Sequence, residues 1–155
     1  MGDLQRKYAK EKGITIEKLG QLEAKDDKID REIDAYQTKL AKEENNFIID
    51  GWLSFHFIPK AIKIFLNCDE NIGAKRIFSD TSKGKRDSSE RKTKSFEDAK
   101  KILIDRMNVN RERWIRYYGA DYLDMSNYDL IVDTSNVDAA NVVNKIISFI
   151  NELKI

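Results

Sequence analysis

Asn46-Phe47-Ile48-Ile49-Asp50-Gly51 is an apolar run that closes on an acid and a glycine. Two further runs of the same character follow, Ile62 to Asn67 and Asp129 to Thr134, with helical periodicity between them. Short, nearly continuous apolar strands alternating with helices are the pattern of a parallel sheet buried on both faces. The expected fold is therefore α/β, with ligand groups gathered at the carboxyl ends of the strands. Asp50 closes the first strand, Cys68-Asp69 the second, and Asp133-Thr134-Ser135-Asn136 the third. An acid after an apolar strand suits Mg²⁺ held among phosphate oxygens; it equally suits a turn begun with Gly51. The 155 residues contain no G-x-x-x-x-G-K-[ST] loop, and the seven glycines stand too far apart to build one.

Upstream of this stretch, residues 3 to 12 read as a helix stopped by Gly13, and Thr15 can cap a second that runs to about Lys25. A third spans Asp27 to Glu43, with Ile29, Ile33, Tyr36 and Leu40 as its expected inward stripe. Downstream, Trp52 to Pro59 forms an aromatic loop in which His56, between Phe55 and Phe57, reads as a packed, hydrogen-bonded imidazole. Residues 70 to 80 are helical. Thr81 to Lys94 loses all periodicity and reads as a mobile loop, after which Ser95-Phe96-Glu97-Asp98 gives a capping-box start to a long helix ending near Gly119. A strongly apolar helix begins near Asp138.

Composition limits the function classes. The chain carries 28 basic and 27 acidic residues, a net charge of +1, so its overall field attracts neither nucleic acid nor membrane. A lone Cys68 and an N-terminus without an apolar core favour the cytoplasm. Functional charge must be local. Thr81 to Ser95 sets six basic side chains, Lys83, Lys85, Arg86, Arg91, Lys92 and Lys94, against Asp87 and Glu90. Such a loop suits closure over polyphosphate, and also suits a plain solvated surface. Arg106 and Arg113 lie two helical turns apart on one face, with Arg116 about a turn beyond. That spacing fits bidentate binding of phosphate oxygens, or an exposed face paired with Asp105 and Glu112.

These residues together resemble the cytidylate kinases of the archaeal type, small P-loop nucleoside monophosphate kinases. Met1-Gly2-Asp3-Leu4-Gln5-Arg6 resembles that family's serine-x-glycine-aspartate-x-x-arginine segment, and Asp30-Arg31-Glu32-Ile33-Asp34 with Gln37 its acceptor-domain helix. Asn46 to Gly51 resembles its "NVVLEG" strand, Arg106 and Arg113-Trp114 its paired lid arginines, and Tyr118-Gly119-Ala120-Asp121 with Tyr128 to Ser135 its closing signature. The resemblance implies a three-layer P-loop kinase-type parallel sheet flanked by helices, with its first two strands absent from this chain. It implies one domain over 1–155, with acceptor-binding helices in 1–45, core in 46–80, a lid loop in 81–95, and lid helix and core in 96–155. It also implies transfer of the γ-phosphoryl group of ATP, with Mg²⁺, onto CMP or dCMP. Gly2, Asp3, Arg6 and Gly51 would hold the acceptor monophosphate, Asp30 and Asp34 would lie near its base or sugar, and Asp50 would organise Mg²⁺ through its waters. Arg106 and Arg113 would neutralise the transferring group, and Thr134, Ser135 and Asn136 would border the adenine. On this reading Arg113→Ala depresses turnover and hardly changes stability.

Two departures qualify the resemblance. The family has a strand, P-loop, helix and second strand before its equivalent of Gly2, so the chain is expected to be shortened at its N-terminus. The missing first strand would lie between 46–50 and 62–67, leaving unpaired backbone groups at about 1–3 kcal/mol for each that stays buried. Marginal stability, with aggregation or dimerisation through exposed strand edges, is the expected consequence. The second departure is Trp52, where the family tends to carry an arginine. Both departures also fit a non-catalytic regulatory or assembly protein derived from a P-loop kinase. A nucleic-acid binder working through Thr81 to Ser95 is a third reading, weakened by the absence of interleaved aromatics.

Overall fold

The computed structural model describes residues 1–86 and 90–153; residues 87–89 of the basic loop and the last two residues lie outside the described part. The chain opens with three helices, α1 (Gly2–Glu11), α2 (Ile16–Glu23) and α3 (Lys28–Glu43). Gly13 separates the first two with φ +64°, a left-handed conformation that side-chain-bearing residues adopt at a cost. Thr15 caps α2 as its sequence position suggests, its side chain accepting from Lys18 N at 3.1 Å.

A four-residue turn, α4 (Ser54–Phe57), leads to β1 (Ile64–Asn67), α5 (Glu70–Ser82) and the long α6 (Phe96–Tyr118). β2 (Leu130–Asp133) and α7 (Ala139–Glu152) complete the fold. Asp69 caps α5 through Asn71 N and Ile72 N. Ser95 caps α6 through Asp98 N, while the Asp98 carboxylate reaches back to Lys94 N at 3.0 Å, one residue earlier than a regular capping box. Gly119, at φ +64°, ends α6 in the left-handed conformation typical of helix termination.

The fold is mixed α/β, and the expected three-layer sheet is represented among the described residues by two strands. β1 and β2 pair in parallel, with Ile64 opposite Leu130 and Asn67 opposite Asp133. The expected first strand at 46–50 is corrected by the structure: residues 47–50 take no regular secondary structure and join no ladder among the described residues, and Ile48 is fully exposed. An apolar run becomes a strand only where a neighbour pairs its backbone, and none does so here. Leu66 and Ile131 are likewise about half exposed, so the sheet keeps apolar surface in water. The accessible surface of 10582 Å² exceeds the roughly 8,000 Å² of a compact 18.0 kDa monomer.

The tightest packing lies elsewhere. Leu53, Trp114, Ala120 and Tyr122 form a core, flanked by Phe55, Phe57, Phe65, Tyr118 and Leu123. The aromatic loop thus clamps the C-terminal end of α6. Trp52, Trp114 and Tyr122 contact one another with centroids 5.0–5.9 Å apart, in edge and tilted geometries favoured by ring quadrupoles. His56 differs from its expected environment: it is exposed, resting edge-on against Phe57 at 5.0 Å.

Candidate functional site

The inward face of α3 is not the apolar stripe its sequence suggests. Asp30, Ile33, Asp34 and Gln37 are its buried residues, whereas Tyr36 is half exposed. A helix buries such a polar face only when partners meet it, and here α6 and α2 supply them. Arg113 Nη1 donates to Glu23 Oε2 at 2.8 Å, and Arg113 Nε stands 3.1 Å from Asp30 Oδ2. All three side chains are at least 95% shielded from solvent. The second contact is close enough for an ion pair, yet both atoms lack an aligned hydrogen bond.

A neutral network continues from this cluster. Ser54 Oγ donates to Gln37 Oε1 at 2.6 Å, Gln37 Nε2 to Asp34 Oδ1 at 2.9 Å, and Tyr118 OH to Asp34 Oδ2 at 3.0 Å. Glu23 and Asp30 thus share one guanidinium, with the Asp34 carboxyl buried on the same face of α3. The imbalance shows in the proton affinity of the two aspartates. Burial, only partly offset by Arg113 and reinforced by Glu23 and Asp34, pushes Asp30 up to about 7, and burial also raises Asp34.

Gly51 sets the approach of the next loop. A Cβ there would meet Ser54 Oγ at 2.3 Å and Met1 Cγ at 2.7 Å, so only glycine lets the chain pass. The Met1 ammonium donates to the Asp50 carbonyl at 2.7 Å, while the Asp50 side chain faces solvent and no described side chain bonds its carboxylate. Mg²⁺ on a nucleotide commonly takes one or two protein carboxylates and completes its shell with water and phosphate, and Asp50 fits that limited role. Among the described residues no group of three His, Cys, Asp or Glu side chains could hold a metal unaided.

A second, cationic cluster opens to solvent. Arg6 on α1 donates to Asp3 Oδ1 at 2.5 Å and to Glu90 Oε1 at 3.3 Å, and Arg86 Nη2 bonds Glu90 Oε2. Arg106 lies over the Trp52 ring, 5.7 Å from its centroid. Crowding by protein atoms is the main influence lowering the Arg106 pKa; Glu90 opposes that shift, while Arg86 and Arg6 add to it. Arg106 and Arg6, assigned from sequence, are thereby brought together with Arg86. Arg113 is set apart with Glu23 and Asp30.

Thr134, Ser135 and Asn136 lie beyond β2. Thr134 Oγ1 donates to Asn67 O at 2.9 Å, Ser135 Oγ accepts from Asp69 N at 2.9 Å, and Arg76 Nη2 donates to Thr134 O at 2.6 Å. Asn136 borders an open groove of about 730 Å³ between β2 and α7. No contact joins these residues to the arginine cluster among the described residues.

Sequence reasoning missed Glu23 and Ser54. Glu23 carried a signal: it sits four residues after Leu19, the most buried residue of α2, and so falls on that helix's inward face. Ser54 had no such mark, because its partner Gln37 comes from another element.

Residues 2–136 match the model of the Cytidylate kinase-like family. A cytidylate kinase of Sulfolobus acidocaldarius is 37% identical over 150 residues, spanning 92% of this chain and 75% of the relative. Cytidylate kinases of Methanothrix thermoacetophila and Methanocella arvoryzae are each 33% identical over 153 residues, spanning 99% of this chain and 82% and 81% of theirs. No solved structure matches the chain significantly. On the match over residues 2–136 and on these identities, the chain belongs to the cytidylate kinase-like family.

Proposed function

We propose that this chain serves ATP- and Mg²⁺-dependent phosphorylation of a nucleoside monophosphate, with CMP or dCMP as acceptor, on a P-loop kinase-type sheet. The observation that supports this reading is the gathering of Arg6, Arg86 and Arg106 around Glu90, with Arg106 close enough to Glu23 of the buried acidic cluster to feel its charge. Positive charge for phosphate then adjoins carboxylates for a base or sugar. In this reading Gly2, Asp3 and Arg6 hold the acceptor phosphate, and Gly51 keeps the floor free of a side chain. Asp30 and Asp34 lie near the base or sugar of the nucleoside. Arg106 neutralises charge on the transferring group, steadied by Trp52 beneath it. Asp50 would hold Mg²⁺ through its waters, and the chemistry supplied there would be positive charge for the phosphates. Thr134, Ser135 and Asn136 border the adenine.

Arg113 contributes through position. Held by Glu23 and Asp30, it docks α2 and α3 against α6 and fixes where Asp30 and Asp34 stand. Calorimetric titration with CMP, dCMP, UMP and AMP tests the proposal: the pyrimidine monophosphates should bind more tightly, and Arg106→Ala should weaken all of them. Equal, charge-only binding of every monophosphate would overturn the acceptor assignment.

The non-catalytic reading has its own support in the exposed apolar residues Ile48, Leu66 and Ile131. If it holds, the chain binds none of these nucleotides.

A further inference from the structure

Glu90 occupies an unusual place. Its two carboxylate oxygens go to different arginines from different parts of the chain, Oε1 to Arg6 on α1 and Oε2 to Arg86 after α5. Arg106 from α6 feels the same carboxylate, which favours its charged form. A single carboxylate thus lies among three guanidinium groups; Asp3 also pairs with Arg6, and Arg106 feels Glu23 as well. A phosphate carries more charge than a carboxylate and offers three acceptor oxygens to such a group.

We propose that Glu90 is an internal stand-in for phosphate: it fills the anion site of Arg6, Arg86 and Arg106 in the empty protein and must leave before a phosphate group can enter. Three features support displacement. The Arg6 contact is long, at 3.3 Å, so little hydrogen bonding to Arg6 is lost on release. The Glu90, Arg6 and Arg86 side chains are 20%, 32% and 26% exposed, so an anion from solution can reach them. Finally, the exchange sets about two negative charges in place of one beside three guanidinium groups. Glu90 would keep the three arginines from repelling one another before substrate arrives, and would lower apparent phosphate affinity by the fraction of time it is seated. This inference rests on the reading that the arginine cluster takes phosphate, and it adds Arg86 and Glu90 to that site.

The test is calorimetric titration of the whole chain and its Glu90→Gln and Glu90→Asp variants, with inorganic pyrophosphate and separately with CMP. Melting curves verify that each variant is folded. If the open state is about 1–10% populated, Glu90→Gln should bind pyrophosphate about 10- to 100-fold more tightly than the parent. Glu90→Asp, too short to span both arginines, should fall between them and carries the test alone if the glutamine variant does not fold. Unchanged or weaker pyrophosphate binding in the folded variants would overturn the inference and make Glu90 a support for the arginines. Tighter pyrophosphate binding without CMP binding would uphold the inference and remove the monophosphate reading. CMP binding at equal strength in all three proteins, with pyrophosphate binding likewise unchanged, would do the reverse.

Discussion

Replacing Arg113 with alanine should destabilise the protein severely, because the residue is a buried counter-ion. Its guanidinium serves Glu23 at 2.8 Å and Asp30 at 3.1 Å, and the side chains concerned are only 2–5% exposed. Alanine removes the cation and leaves two carboxylates facing each other, with Asp34 on the same helix face. Breaking a buried pair by deleting one partner costs about 3–5 kcal/mol. In a domain of this size each kcal/mol moves Tm by about 2–4 °C, which gives a fall of about 6–20 °C. Arg116 is the control. It is exposed and donates to Ala24 O at 2.8 Å, so its alanine variant should lose only about 1 kcal/mol. Circular-dichroism melts of the three proteins at neutral pH measure the difference. The gap between parent and Arg113→Ala should narrow in acid, where Asp30 takes up a proton. An Arg113→Ala Tm indistinguishable from that of Arg116→Ala would mean that the carboxylates are solvated, and would return Arg113 to the sequence expectation of a stability-neutral residue.

Asp30 gives a pH signature. Its pKa is raised from 3.8 to about 7, so the folded form holds the proton more tightly than the unfolded form; the stability it contributes is full below about pH 4 and is lost as pH rises through about 7. Asp30→Asn should therefore flatten the fall of Tm over that window, and an unchanged slope would contradict the assignment. Gly51→Ala should lower stability by about 1–3 kcal/mol in denaturant titration, since its methyl would collide with Ser54 Oγ and Met1. Arg106→Ala should weaken pyrophosphate binding while shifting Tm far less than Arg113→Ala; equal losses of Tm would show that both arginines are structural. Ile48→Ser should change stability by no more than about 0.5 kcal/mol, the side chain being fully exposed, yet reduce light scattering on heating.

Much of the helical framework was legible because its signals are local. Gly13, Thr15, Ser95 and Gly119 each mark a boundary that backbone and capping chemistry impose wherever the chain folds. The arginines and acids of the site could likewise be named, since order and residue type carry the family resemblance. Their partners could not. Arg113 and Arg106 share residue type, helix and face, yet one meets Glu23, 90 residues away, while the other lies over Trp52.

Strand identity divides in the same way. Residues 64–67 and 130–133 form a ladder because each finds the other, whereas Phe47 to Asp50, no less apolar, stays unpaired. Sequence by itself determined which segments could be helical or extended and where the long helices begin and end. Only the tertiary structure decided that Asp30, Asp34 and Gln37 turn inward, that Arg113 is the counter-ion of Asp30 and Glu23, and that Glu90 sits among Arg6, Arg86 and Arg106. The physical reason is that a charged side chain costs several kcal/mol to bury or almost nothing to expose, according to partners that arrive from distant parts of the chain.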